Sequence, residues 1–122
     1  MVGAAGNDGV AQVAWPAEAP EVIAVTAVDA LRRRYRLANT GGAIAIAAPG
    51  VDGYVARARG GGYGSGTSFA APIVTALLAR EMARGTASPA AVRAHRRGSA
   101  LALGRAGRTV EFGWGLAQAG GC

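Results

Sequence analysis

The chain has 122 residues, enough for one small domain or part of a larger one, and its thirteen basic residues, all arginine, outnumber seven acidic ones to give a net charge of +6. A hydrophobic fraction of 51% is too high for a disordered polar tail, and the lone cysteine, Cys122, excludes an intrachain disulfide scaffold. No apolar run approaches the ~18–20 residues of a membrane span, and the opening MVGAAGNDG lacks the charged and apolar regions of a secretory signal, so a soluble α/β-type chain is expected.

In chain order, Met1-Val-Gly-Ala-Ala5 is a short strand candidate ended by Gly6-Asn-Asp-Gly9. A loop with two prolines covers 12–20. Glu21-Val-Ile-Ala-Val-Thr-Ala-Val28 is almost continuously apolar and β-branched, as a strand covered on both faces should be. A loop over 31–42 holds Arg32-Arg-Arg-Tyr-Arg36. Ala43-Ile-Ala-Ile-Ala-Ala48 is a second buried strand, stopped by Pro49-Gly50. The glycine-dense 60–66 segment is expected to be a loop.

After it the period changes. Ala70, Ile73, Val74, Leu77, Leu78 and Met82 recur at three- and four-residue steps, predicting a helix with a broad buried stripe from Thr67-Ser68 to Gly85. A second helix is predicted from the cap Ser88, with Pro89 at its first position, to Arg97. Glu111-Phe-Gly-Trp-Gly-Leu116 reads as a packed turn. The arginine run falls in a loop, where a charged stretch is a solvated face, so no nucleic-acid partner is expected. No Cys/His cluster has metal-ligand spacing.

Two segments carry chemistry. Ser65-Gly-Thr-Ser68-Phe-Ala-Ala-Pro72 puts a serine where a glycine loop becomes a helix. An unpaired backbone N–H and the positive end of the helix dipole there favour an oxyanion. Ala4-Ala5-Gly6-Asn7-Asp8 ends a strand, where ligands gather in open α/β sheets, and its asparagine amide is a second candidate donor.

Gly66-Thr-Ser-Phe-Ala-Ala-Pro72 closely resembles the serine motif of the subtilisin-like (S8) serine proteases. Ala4-Ala-Gly-Asn7-Asp8 resembles that family's oxyanion-asparagine motif. Trp15-Pro-Ala17 with Pro20-Glu-Val-Ile-Ala-Val25, Ala47-Ala-Pro-Gly50 and Phe112-Gly-Trp-Gly-Leu116 resemble further segments of it, in order, from residue 2 to about residue 119. The resemblance implies a three-layer α/β sandwich with a mainly parallel sheet, of which residues 1–119 would be the C-terminal part and 120–122 a tail. It implies Ser68 as the acyl-accepting nucleophile and Asn7 with the Ser68 N–H as the oxyanion hole. Ala4, Ala5 and Gly6 would form one wall of the pocket for the residue before the scissile bond. Calcium, bound by many relatives through loop carbonyls, is assigned no residues here, and export of the parent protein is implied without fixing a compartment.

The departure from the family is as informative. Its triad runs aspartate, histidine, serine, with the first two well before the asparagine, and only six residues precede Asn7 here. The one histidine, His95, follows Ser68 on a helix flanked by arginines, and Asp8, Asp29 and Asp52 lack the family's Asp-Ser/Thr-Gly setting. A serine without a base is barely nucleophilic. The expectation is therefore a serine endopeptidase fragment, inactive alone, that cuts peptide or protein substrate once completed by an N-terminal half. The alternative is an inactive remnant that serves as a binding or assembly module, or has no function. An isolated fragment of this kind is expected to expose an unpaired sheet edge and an apolar face.

Overall fold

The computed structural model describes residues 1–85 and 88–119; Cys122 and the rest of the expected tail lie outside them. Three parallel strands, β1 (Val2–Ala4), β2 (Ile23–Val28) and β3 (Ile44–Pro49), form a sheet in sequential order. A hairpin of β4 (Gly53–Arg57) and β5 (Gly60–Gly64) leads into α1 (Thr67–Ala83), which is followed by α2 (Pro89–Ser99).

The two apolar runs form β2 and β3, and both of their faces are covered. Val25, Ala27, Ile46 and Ala48 meet Ala70, Val74 and Leu78 of α1. On the other face, Ala24 and Ile44 pack with Ala5, Val13 and Ala17, while Val28 and Ala47 pack with Leu103. A register irregularity at Ala24/Val25 pairs Ala24 with Ile44 and Val25 with Ile46. The extra residue, Ala45, breaks the alternation, which is why Ile44 and Ile46 serve opposite faces although they stand two apart.

The outer edge of β3 is closed by the aromatic-glycine segment. Trp114 N–H donates to the Ala45 carbonyl (2.9 Å), and Ala47 exchanges bonds with Gly115 and Ala117 (2.8 Å each). Gly113 makes this approach possible: its φ is +57°, and a Cβ there would lie 2.3 Å from the Ala45 carbonyl. Among the described residues nothing pairs with the outer edge of β1. The open edge expected from the sequence is present, whereas the faces of β2 and β3 are covered by the chain itself.

Two sequence expectations need correction. The glycine-dense segment is half of a hairpin rather than a loop: β4 and β5 pair from Gly53↔Gly64 to Arg57↔Gly60, with Tyr54 and Tyr63 edge to face at 5.5 Å. The α1 stripe is also narrower than its periodicity suggests. Thr67, Ala70, Val74, Leu78 and Glu81 are buried, but Ile73 and Met82 are exposed because no described element packs on that flank. Gly66 is the N-cap of α1, and α1 ends at Ala83 with Arg84 as C-cap. Ser88 caps α2, its hydroxyl accepting the Ala91 N–H.

Candidate active site

The site forms at the carboxyl end of the sheet, where the segment after β1 meets the start of α1. β1 and β2 pair side by side, and the Ala5 N–H extends that ladder by donating to the Val25 carbonyl (2.9 Å). The chain then turns away through Gly6 and Asn7. The Pro49-Gly50 turn is tied to the end of β2, Gly50 N–H donating to the Val28 carbonyl (3.0 Å). It receives the cap of α1 in turn, Gly66 N–H donating to the Gly50 carbonyl (2.7 Å). Gly66 sits at φ +154°, a conformation that side-chain-bearing residues rarely adopt. These backbone bonds bring residues 6–7 and 66–68 together.

The contact between the segments is made by Asn7 and Thr67. The Thr67 N–H donates to Asn7 Oδ1 (2.8 Å), and the Thr67 hydroxyl donates to the same oxygen (3.1 Å). That hydroxyl also accepts the Gly6 N–H (3.1 Å). A backbone N–H can only donate, so the asparagine must turn its oxygen toward Thr67, leaving its NH₂ group free of any partner among the described residues. The adjacent Ser68 N–H is likewise unpaired among the described residues, as expected in the first turn of a helix. Ser68 and Asn7 are both exposed, so two donors and a hydroxyl gather at one solvent-facing helix start.

Of the other residues expected at the site, Ala4 and Gly6 are partly buried, and Ala5 is fully buried in the cluster beneath. Any wall that Ala5 contributes is therefore backbone. Asp8 is exposed, and its N–H donates to Asn39. Asp29 binds Arg33, and Asp52 meets Ser65, its N–H donating to the serine hydroxyl (2.9 Å). His95 is far away. Its Nε2 lies 3.3 Å from Glu81 of α1, ~20 Å along that helix from Ser68 at 1.5 Å per residue.

Two positioning residues escaped the sequence reading. In the sequence Thr67 reads only as a helix start, yet it fixes the orientation of the Asn7 amide. Asn39, 1% exposed, accepts the N–H groups of Asp8 (2.9 Å) and Val10 (3.4 Å), and its own N–H donates to the Gly6 carbonyl (2.9 Å). Its one sequence signal was its place in the turn-rich Asn39-Thr-Gly-Gly42 stretch.

The comparisons with known proteins point the same way. The subtilase family model, Peptidase S8, matches residues 1–115. No curated protein matches. Among solved structures, the prenylagaramide maturation protease PagA is similar over 97% of this chain at 30% identity, with a TM-score of 0.79. A lanthipeptide protease is similar over 98% of it at 26% identity, with a TM-score of 0.83. The chain spans about half the length of these structures, 47% and 48% respectively. By a match covering nearly all its residues and a fold shared with both proteases, this chain belongs to the subtilase family.

Proposed function

We propose that the chain supplies the nucleophile and the oxyanion hole of a serine endopeptidase. Ser68 Oγ attacks the scissile carbonyl, and the resulting oxyanion is held by Asn7 Nδ2 and the Ser68 N–H. The bond between the amine and the acyl carbon breaks, and water releases the acyl group from Ser68. The observation that supports this reading is the Asn7 amide, held oxygen-first on Thr67, the residue before Ser68, so that its NH₂ is left without a partner among the described residues. Donors fixed before the reaction need no reorganisation as charge develops, which is the largest contribution in many acyl-transfer sites. Both similar structures are proteases, one of them a lanthipeptide protease, which supports a peptide substrate.

The proton from Ser68 needs a base. His95, the only histidine, is engaged with Glu81 well away from the serine, so the base and its orienting carboxylate would come from a complementary half. The open edge of β1 and the exposed Ile73 and Met82 flank of α1 are the surfaces on which such a half would sit. We infer that the chain alone is inactive.

The test is complementation. Co-expressed with the amino-terminal half of a subtilase that carries its Asp and His, the chain should hydrolyse peptides and take up a fluorophosphonate probe; alone it should do neither. Ser68→Ala should abolish both. Asn7→Ala should lower kcat by ~10²–10³, the loss known for such a donor in a subtilisin, with a smaller change in KM. A stable but inactive complex would instead favour a binding or assembly module. Labelling of the chain alone at Ser68 would show that a base exists within it.

A further inference from the structure

A cavity of about 620 Å³ opens at the amino end of the sheet, between the starts of β2 and β3, the second half of α1, and α2. That is within the ~300–1,000 Å³ of small-molecule sites. It lies about ten residues, or ~15 Å, along α1 from Ser68. Ile23, Ile46, Val74 and Leu78 give it an apolar floor. Its walls carry four arginines, Arg93, Arg96, Arg97 and Arg108, and one carboxylate among the described residues, Glu18.

Three of those arginines, Arg93, Arg97 and Arg108, are held in place without an acidic partner among the described residues. Arg108 donates from Nε and Nη2 to the Ile44 carbonyl (3.2 and 3.0 Å), Arg93 donates to the carbonyls of Pro20 and Glu21, and Arg97 stacks 3.8 Å from the centre of the Trp114 ring. None of the three has an ion pair among the described residues. Arg96 is 4% exposed and bonds to Glu81 and the Gln118 carbonyl, yet its Nε is buried without a partner. A buried donor left unpaired is costly, and around this apolar void the arginines outnumber the carboxylates, Glu18 in the wall and Glu81 bound to Arg96.

We propose that this cavity binds an amphipathic monoanion, an acyl carboxylate whose chain lies on Ile46, Val74 and Leu78 and whose head group sits among the arginines. The carboxylate supplies acceptors for the guanidinium groups, including the unpaired Arg96 Nε, and the chain fills the void. Charge-assisted bonds of this kind are roughly twice as strong as neutral ones. The site is independent of any reaction at Ser68.

Trp114 lines the cavity, which provides a local reporter. In a Trp15→Phe background it is the only tryptophan, so its emission can be titrated with sodium dodecanoate below micelle formation. Saturable one-to-one binding is expected for dodecanoate and none for dodecyltrimethylammonium. Arg97→Gln, at an exposed position that should not disturb folding, is expected to weaken binding at least ~10-fold, and Arg97→Lys to retain it within ~3-fold, since charge rather than hydrogen-bond geometry is kept. Ala45→Phe, which fills the cavity from its floor, should abolish binding while circular dichroism remains native. Equal response to the cationic amphiphile, no saturable response to dodecanoate, or undiminished affinity in both Arg97→Gln and a folded Ala45→Phe would overturn the proposal.

Discussion

The two ends of the sheet solve the same packing problem with different side chains. At the carboxyl end, Gly6, Asn7, Gly50, Gly66 and Thr67 are small or short, and backbone donors and acceptors meet directly, with bonds of 2.7–3.1 Å. At the amino end, long arginines reach across from α2 and the C-terminal segment to distant carbonyls and an indole, and a void remains between them. Short side chains fix a few groups in position, as a reacting centre requires. Long ones frame a space that something else must fill.

Matched truncations should break this comparison first, and most strongly. Ile44 is fully buried in a closed cluster, whereas Leu78 is 9% exposed and borders the cavity. Ile44→Ala is expected to cost ~2–5 kcal/mol in urea unfolding, through lost transfer energy plus a new void. Leu78→Ala should fall near the lower limit of that range, since one side of the leucine already lacks contacts. Equal losses would mean that the leucine bordering the cavity is packed as tightly as the closed cluster around Ile44.

The next largest effect should come from adding volume where space is tightest. A Cβ on Gly50 would lie 2.8 Å from the Ala27 Cβ and from the Gly66 carbonyl oxygen, and 3.1 Å from the Ala70 Cβ. Gly50→Ala is expected to destabilise by ~1–3 kcal/mol, the range for overpacking a filled site. In the complemented enzyme it should also lower kcat more than it raises KM, because Gly66 and the start of α1 would shift with it. A loss of stability with kcat intact would show that the Ser68 turn is held independently of Gly50.

The three sheet strands and the two helices were legible because each rests on a local signal, the apolar runs in 21–28 and 43–48 and the spacing after Thr67, whereas the meeting of the Asn7 segment with the start of α1 followed only from the family resemblance. The β4–β5 hairpin was not legible, since Gly60, Gly61 and Gly62 carry no strand preference. It is held by pairing with 53–57, by the Tyr54–Tyr63 contact and by the Arg57 bond to the Tyr63 carbonyl. Asn39 and Thr67 were missed for another reason. Their roles depend on bonds across 31 and 60 residues of sequence, which no local window contains. The exposed flank of α1 shows the reverse failure: periodicity reports which residues are apolar, not whether the described chain covers them.

A smaller effect, of opposite sign, is expected inside β2. Thr26 is fully buried, and its hydroxyl has no hydrogen-bond partner among the described residues. Valine has nearly the same shape without the polar atom, so Thr26→Val should raise stability by ~1 kcal/mol. A loss of that size would reveal a partner for the hydroxyl, such as a buried water.

The smallest effect should appear at the turn after β2, through pH. Asp29 Oδ1 accepts the N–H groups of Arg33 and Leu31 (2.9 Å each), and Oδ2 accepts Arg33 Nε at 2.7 Å. The Arg33 backbone N–H is the foremost cause that holds this carboxyl below its ordinary value. The Arg33 side chain and the Leu31 N–H act in the same direction, and partial desolvation opposes them. A carboxylate with a depressed folded pKa contributes stability that is fully present above its unfolded value of about 3.9. That contribution is lost as pH falls through the lower, folded value. Asp29→Asn keeps an acceptor oxygen but removes the charge, so its Tm should lie slightly below that of the wild type near neutrality. The two should converge as the pH falls below 4. The difference should shrink with added salt, because the pair with Arg33 is exposed. A Tm difference that stays constant from neutrality to acid would show that the turn depends on hydrogen-bond geometry alone, with no contribution from the charge.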